Sequence, residues 1–220
     1  MTIFCNLPQE CGGKVQALRF LFFCLEKMYP SISWWPGDSD FEIMVGAILT
    51  QNTNWHNVEK ALAVLKQKNL LTEKALWDLD TTLLSEYIRS AGYSNVKARY
   101  LKNLCRWLLD HEREWAECSN DDLRQALLSI KGIGEETADD ILLYVYHRPM
   151  FIYDLYARRL LERLGFGAFS TYKKAKQSLD ASVFGCGFSV KQLQDWHGRI
   201  VEFGKRIRRD GDSALRELTE

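Results

Sequence analysis

The segment Leu127-Leu128-Ser129-Ile130-Lys131-Gly132-Ile133-Gly134 separates two helical patterns, and its residue types could do more than turn the chain. Glycine allows positive φ and lets another group approach the backbone closely. The first N–H groups of the helix that follows have no partner inside the helix and favour an anion such as a phosphodiester. A plain tight turn would use the same glycines. Further on stands Asp154, after Pro149 and Phe151-Ile152-Tyr153, at the opening of an apolar-periodic segment from Leu155 to Leu164. An aspartate there is a natural N-cap. Held rigidly, the same carboxylate can stabilise developing positive charge or take a proton from water. Trp34-Trp35-Pro36 is the third unusual feature. Adjacent tryptophans cannot both face one helical core, so at least one faces a surface or a pocket.

The elements that must position these residues read as helices. Val15, Leu18, Phe22 and Leu25 form one apolar stripe, and Phe41, Met44, Val45 and Ile48 a second. Val58, Ala61, Leu62 and Leu65 make a third, and Leu101, Leu104 and Leu108 a fourth. Ala138, Ile141, Leu142 and Val145 repeat at helical spacing, as do Ala157, Leu160, Leu161 and Leu164. No useful period-two run occurs, and Pro30, Pro36 and Pro149 fall between periodic segments. The expectation is an all-α fold of about ten short helices. The helix after the hairpin should run from Glu135 to about Tyr146, ended by Pro149.

Bulk properties narrow the class. The 220 residues, 46% hydrophobic and 12% aromatic, can bury a sizeable core and are not those of a disordered chain. No apolar run approaches the roughly 20 residues that span a bilayer. Arg19 interrupts the stretch from Ala17 to Leu25, which also lacks a small-residue cleavage site, so no secretory signal is expected. Cysteines 5, 11, 24, 105, 118 and 186 form no C-x-x-C pair and read as reduced thiols of a cytoplasmic protein. His56, His111, His147 and His197 are too dispersed to suggest a metal site. The net charge is zero, with 29 acidic and 29 basic residues, so no broad electrostatic grip on nucleic acid is expected. Local clusters remain: Lys97, Arg99, Lys102 and Arg106; Arg158, Arg159 and Arg163; Lys205, Arg206, Arg208 and Arg209. Each is also what a solvated helix face would show.

The pattern Leu-x-x-x-Lys-Gly-Ile-Gly-x-x-Thr-Ala-Asp, from Leu127 through Thr137 and Ala138 to Asp139, strongly resembles the helix-hairpin-helix of the endonuclease III superfamily of DNA glycosylases. Asp154 lies eighteen residues beyond Glu136 (154 − 136 = 18), where that family places its catalytic aspartate. The resemblance, over roughly residues 30 to 208, implies a two-lobed helical fold. One lobe would be a central module, residues 40–146, ending in the hairpin; the other would combine residues 1–39 with 147–220, and DNA would bind across the cleft. It implies double-stranded DNA with damaged bases as partner, a monomer, and Asp154 as the carboxylate that stabilises an oxocarbenium-like sugar and activates water.

Two departures point to one branch. Bifunctional members carry an amine nucleophile in the hairpin's second helix, where this chain has Glu136, which forms no Schiff base. Many relatives ligate an iron–sulfur cluster through four C-terminal cysteines, whereas only Cys186 lies in the last third here, so no cluster is expected and no cofactor is required. A monovalent cation at the hairpin carbonyls is a family feature on which the residues are silent. With Trp34-Trp35-Pro36 and Leu49-Thr50-Gln51-Asn52-Thr53, these departures resemble the 3-methyladenine glycosylases built on this scaffold, monofunctional enzymes for alkylated bases.

The resemblance implies further roles, each with an ordinary alternative. Trp34, Trp35, Phe41 and Lys205 would form the base pocket, although Phe41 begins a core stripe and Lys205 could be simply exposed. A ring methylated at adenine N3 is cationic, and aromatic faces attract such a cation by about 0.5–2 kcal/mol. Gln51 would enter the gap left by the flipped base, Tyr93 would wedge the opposite strand and Asn52 would contact DNA; Gln51 could equally be a helix-end polar residue and Tyr93 a surface aromatic. Lys131, Gly132, Ile133 and Gly134 would hold DNA phosphate. Two rivals remain at this point: a bifunctional lyase for oxidised pyrimidines, and a non-catalytic DNA-binding module that uses only the hairpin.

Overall fold

The computed structural model describes residues 7–32, 34–111 and 117–218; Cys5 lies outside them. The described residues form thirteen α-helices and one 3-10 turn, and no strand. These are α1 (Leu7–Glu10), α2 (Lys14–Met28), α3 (Asp40–Leu49), α4 (Trp55–Gln67), α5 (Glu73–Asp78) and α6 (Thr81–Tyr87). After the 3-10 turn Arg89–Ala91 come α7 (Ser94–Asp110), α8 (Asn120–Ser129), α9 (Glu135–Tyr144), α10 (Leu155–Arg163), α11 (Tyr172–Phe184), α12 (Val190–Asp210) and α13 (Asp212–Glu217). Every apolar stripe read from the sequence lies on one of these helices, with Val145 and Leu164 as the C-caps of α9 and α10; the count exceeds ten because α1, α5, α6 and α13 are one or two turns long. No helix of the described residues is long and apolar enough to cross a membrane.

Local chemistry sets most of the starts. Ser39, Asn54, Thr72, Asp80, Ser119, Asp154, Thr171 and Ser189 each cap a helix by accepting from a backbone N–H in its first turn. The end of α9 differs from the expectation: it stops at Tyr144, five residues before Pro149 (149 − 144 = 5). The Tyr146 N–H reaches back to the Ile141 carbonyl, the Arg148 N–H to the Leu142 carbonyl, and His147 takes φ 51°. The helix is thus unwound by a left-handed residue that satisfies its last carbonyls, before the proline has any say.

The chain divides into two compact units, residues 36–148 and residues 1–35 with 149–220. In the unit of residues 36–148, α3 is buried over most of its length and packs against α4, α7 and α9; α5 and α6 lie on α7, and α8 on α9. In the other unit, α12 packs against α2, α10 and α13, and α2 also meets α1 and α11. Its centre is aromatic: the Trp196 ring lies 4.8 Å from Phe151, 5.1 Å from Phe188 and 5.7 Å from Phe22.

All three basic clusters take on structural roles. Lys97 is 2% exposed, and its Nζ donates to the Leu49 and Ala91 carbonyls, each at 2.8 Å. Burial lowers its pKa to about 8, so the ammonium is still mostly charged at neutral pH. Lys102 donates to the Trp77 and Leu79 carbonyls, and Arg106 pairs with Asp110. Arg158 donates to the carbonyls of Tyr153, Phe169 and Ser170, Arg163 pairs with Asp212, and Arg206 with Glu217. Lys97 is therefore no part of a solvated face. Its replacement by methionine leaves two buried carbonyls without donors, at a cost of about 1–3 kcal/mol each. Urea denaturation of Lys97→Met should show a loss of about 3 kcal/mol with an unchanged m-value.

Candidate functional site

The hairpin of residues 130–134 is built by its neighbours. Gly132 has φ 112°, and a Cβ there would come within 2.2 Å of the Tyr100 ring on α7. Only glycine allows both the backbone and that close approach. The Asn103 side chain donates to the Lys131 carbonyl at 2.8 Å, and the Ile133 N–H to the Ile130 carbonyl at 3.0 Å. Gln51 Nε2 donates to the Gly132 carbonyl at 2.9 Å and to Thr137 Oγ1 at 3.1 Å. The carbonyls of residues 130, 131 and 132 are thus each engaged by a protein donor, so a cation there would share acceptors already in use.

Each residue of the Thr-Ala-Asp run has a physical purpose. Thr137 takes the Gln51 bond, and Ala138 is wholly buried. Asp139, also wholly buried, receives Arg124 Nε at 2.6 Å and Nη2 at 3.3 Å, tying α8 to α9. In this unit, α7 and α9 are the helices that begin without a side-chain cap, at Tyr93 and Gly134. The start of α9 therefore keeps outward-facing N–H groups beside the exposed Lys131 and Gly134, as an anion site requires.

The loop residues divide by exposure. Asn52 is exposed with φ 54°, and Tyr93 is 72% exposed with φ 47°. Gln51, by contrast, is half-buried with its amide on the hairpin. Glu136 stands exposed on the first turn of α9. Phe41 is 6% exposed within the core stripe of α3, so its ring presents almost no face to solvent. Lys97 joins the end of α3, which leads into Gln51 and Asn52, to Ala91, which leads into Gly92 and Tyr93.

In the other unit, Met150 to Tyr153 are buried in series and deliver Asp154 to the start of α10. The Tyr153 hydroxyl donates to Asp180 at 2.8 Å, and Arg158 Nε to the Tyr153 carbonyl at 3.1 Å, which fixes this segment. Asp154 is 9% exposed, and its Oδ1 accepts from the Ala157 N–H at 2.7 Å. Its Oδ2 lies 3.9 Å from His197 Nε2 on α12. Burial pushes the His197 pKa down to about 3, so the imidazole is neutral and brings no positive charge beside the carboxylate. Trp34 stands edge-on to His197, with ring centres 5.9 Å apart, and edge-on to Trp35 at 6.1 Å. Both tryptophans are half-buried. Gly198 makes room for Trp34, since a Cβ would come within 2.7 Å of it. Lys205 Nζ sits 5.6 Å over the Trp34 ring and bonds Glu202 at 2.7 Å.

A family model described as "HhH-GPD superfamily base excision DNA repair protein" matches residues 45–183. The chain belongs to that superfamily. The "Putative DNA repair glycosylase MJ1434" of Methanocaldococcus jannaschii is 37% identical over 202 residues, 89% of this chain and 90% of that one. The Endonuclease III of Sulfolobus acidocaldarius is 30% identical over 168 residues, 76% and 73% of the two chains. Among solved structures, the H. pylori 3-methyladenine DNA glycosylase (MagIII) bound to 1,N6-ethenoadenine matches at TM-score 0.73 and 29% identity, covering 88% of this chain and 97% of that one. This HhH-GPD chain is a DNA glycosylase with the all-α fold of its relatives.

Within this HhH-GPD protein, one unit brings together Gln51 and the hairpin, and the other brings together Trp34, Trp35, Lys205 and Asp154. Sequence reading missed His197, Gly198 and Arg124 as contributors. The signal for His197 lay only in its neighbour: a glycine inside an amphipathic helix, at 198, marks a close approach. Among the described residues no group of three or more His, Cys, Asp or Glu side chains converges as a metal site. Cys186 is 4% exposed, and its thiol faces the Ser182 and Val15 carbonyls.

Two outcomes follow from the Asp154 side. Because His197 is depressed below the ordinary value of about 6.5, its neutral form favours folding above that pH, and the advantage falls away as pH drops toward about 3. His197→Gln should remove about 1 kcal/mol per pH unit from the slope of stability against pH between 6.5 and 5, seen as a flatter Tm profile. Gly198→Ala should displace Trp34, detected as a red shift and greater quenching of tryptophan emission, while α12 stays helical by circular dichroism.

Proposed function

We propose that this protein is a monofunctional glycosylase that removes alkylated, cationic bases of the 3-methyladenine type from duplex DNA, acting as a monomer and leaving an abasic site. The observation that carries the reading is the cluster in one unit: the Trp34 indole stands edge-on to a neutral His197, whose Nε2 lies 3.9 Å from the buried Asp154 carboxylate. A flipped cationic base would stack on Trp34 and Trp35 for about 1–3 kcal/mol, with an added cation–π attraction. Phe41, 6% exposed within α3, offers no open ring face for stacking. Lys205, held by Glu202 over the Trp34 ring, would border the stacking face.

Asp154 then acts at the sugar. One oxygen is fixed by the Ala157 N–H and the other lies on the His197 side, so the carboxylate has little freedom to turn. As the base leaves with its bonding electrons, positive charge grows at the sugar, and the fixed carboxylate stabilises it. It then accepts a proton from the attacking water. A cationic base leaves readily, so strong acid catalysis is not needed. The hairpin and the open start of α9 would hold phosphate, with Asn52, Gln51 and Tyr93 working at the flipped-out gap.

The absence of lyase chemistry rests on residue types. Glu136 occupies the position at which bifunctional relatives carry their amine. Lys97, whose lowered pKa would suit a nucleophile, is enclosed and bonded to two carbonyls. A four-thiolate cluster lacks ligands, since only Cys186 lies in the last third and its thiol faces two carbonyls.

The test is base release from methylated duplex DNA by wild-type protein and Asp154→Asn. Wild type should release 3-methyladenine, with strand breaks only after alkali, and the variant should lose at least a hundredfold in rate. Breaks without alkali, or a covalent adduct trapped by borohydride, would establish the lyase reading. If wild type releases nothing from methylated DNA, the alkylation assignment fails.

A further inference from the structure

The basic cluster on α7 is reduced by the fold to a single available charge. Lys97 is buried on two carbonyls, Lys102 is bonded to Trp77 and Leu79, and Arg106 is paired with Asp110. Arg99 is exposed and makes no hydrogen bond or ion pair among the described residues. It lines a surface cavity of about 380 Å³ together with Lys131, Tyr100, Asn103, Lys102 and Thr81. Lys131, at the tip of the hairpin, is likewise exposed with an unengaged ammonium.

The cavity is continuous with the hairpin through shared residues. Tyr100 is pressed on Gly132, and Asn103 holds the Lys131 carbonyl, so the wall of the cavity and the hairpin are one rigid piece. The cavity has no carboxylate in its lining. In a chain of zero net charge, two unpaired cations facing one concave surface without a counter-ion form a local anion site.

We infer that Arg99 and Lys131 form a second phosphate site, beside the start of α9, which takes the next phosphodiester of the DNA strand held by the hairpin. The planar guanidinium can take two oxygens of one phosphate, while Lys131 acts as a point charge. The site adds grip and register but reads no base. This proposal rests on the reading of the hairpin as the clamp on the DNA backbone.

The experiment is binding of the full chain to a fluorescent duplex, undamaged or bearing an abasic-site analogue, at 50 to 200 mM salt. Each lost phosphate contact lowers the slope of log K against log salt by about 0.9. Arg99→Gln and Lys131→Gln should each do so on both duplexes, so that the deficit against wild type shrinks about threefold between 50 and 200 mM salt. Arg99→Lys should restore the slope, and Arg106→Gln, whose partner is Asp110, should leave it unchanged. Base release at saturating DNA should stay within twofold of wild type for Arg106→Gln.

An Arg99→Gln slope equal to wild type, with an unaltered melting temperature, overturns the proposal. Gly134→Pro separates the two readings, because it blocks the open start of α9 without touching the cavity. If it weakens binding while Arg99→Gln does not, the hairpin clamp stands and the second site falls. If neither changes binding, both fall.

Discussion

A single buried ammonium organises much of the unit of residues 36–148. Lys97 satisfies carbonyl groups at the end of α3 and at Ala91, closing two chain ends that would otherwise face the interior unpaired. Burying such a charge is costly unless every donor finds an acceptor, so the arrangement tolerates few alternatives. Both ends continue into loops whose first residues are left-handed or exposed, Asn52 on one side and Tyr93 on the other. One lysine thereby sets the positions of two separate loops, and it does so from the helix, α7, that also braces the hairpin through Tyr100 and Asn103.

The same economy recurs in the hairpin and at Asp154. The hairpin carbonyls are engaged by side chains from α3's end and from α7, while the N–H groups at the start of α9 are left uncapped. Acceptors are thus satisfied internally, while the donors at the start of α9 have no side-chain cap. At Asp154 the division is between two oxygens of one carboxylate. Oδ1 completes a helix cap and so fixes the geometry; Oδ2 faces a histidine that burial keeps neutral. Had His197 been protonated, an adjacent cation would have stood 3.9 Å from that oxygen.

A zero net charge is unusual for a protein of nucleic acid, and the fold explains how it is compatible with the function. Most basic residues in the three clusters are tied to carbonyls or carboxylates as internal fasteners, as Arg158, Arg163 and Arg206 show.

The helical class is legible from residue order alone, because apolar spacing at three and four residues survives any packing arrangement. So too are the hairpin and the Asp154 position, since glycine at 132 and a capping carboxylate at 154 follow from backbone requirements that are local. The end of α9 was less legible: Pro149 is a strong local breaker, but a left-handed His147 stopped the helix earlier through bonds to its own last turn. What only the tertiary structure decided concerns pairs remote in sequence. Gln51 meets Gly132 across 81 residues and Trp34 meets His197 across more than 160, and no periodicity carries such information. The charge of Lys97 was misleading for the same reason. Whether a lysine faces water or two orphan carbonyls depends on which helix ends are brought beside it, and that is settled only when the helices pack.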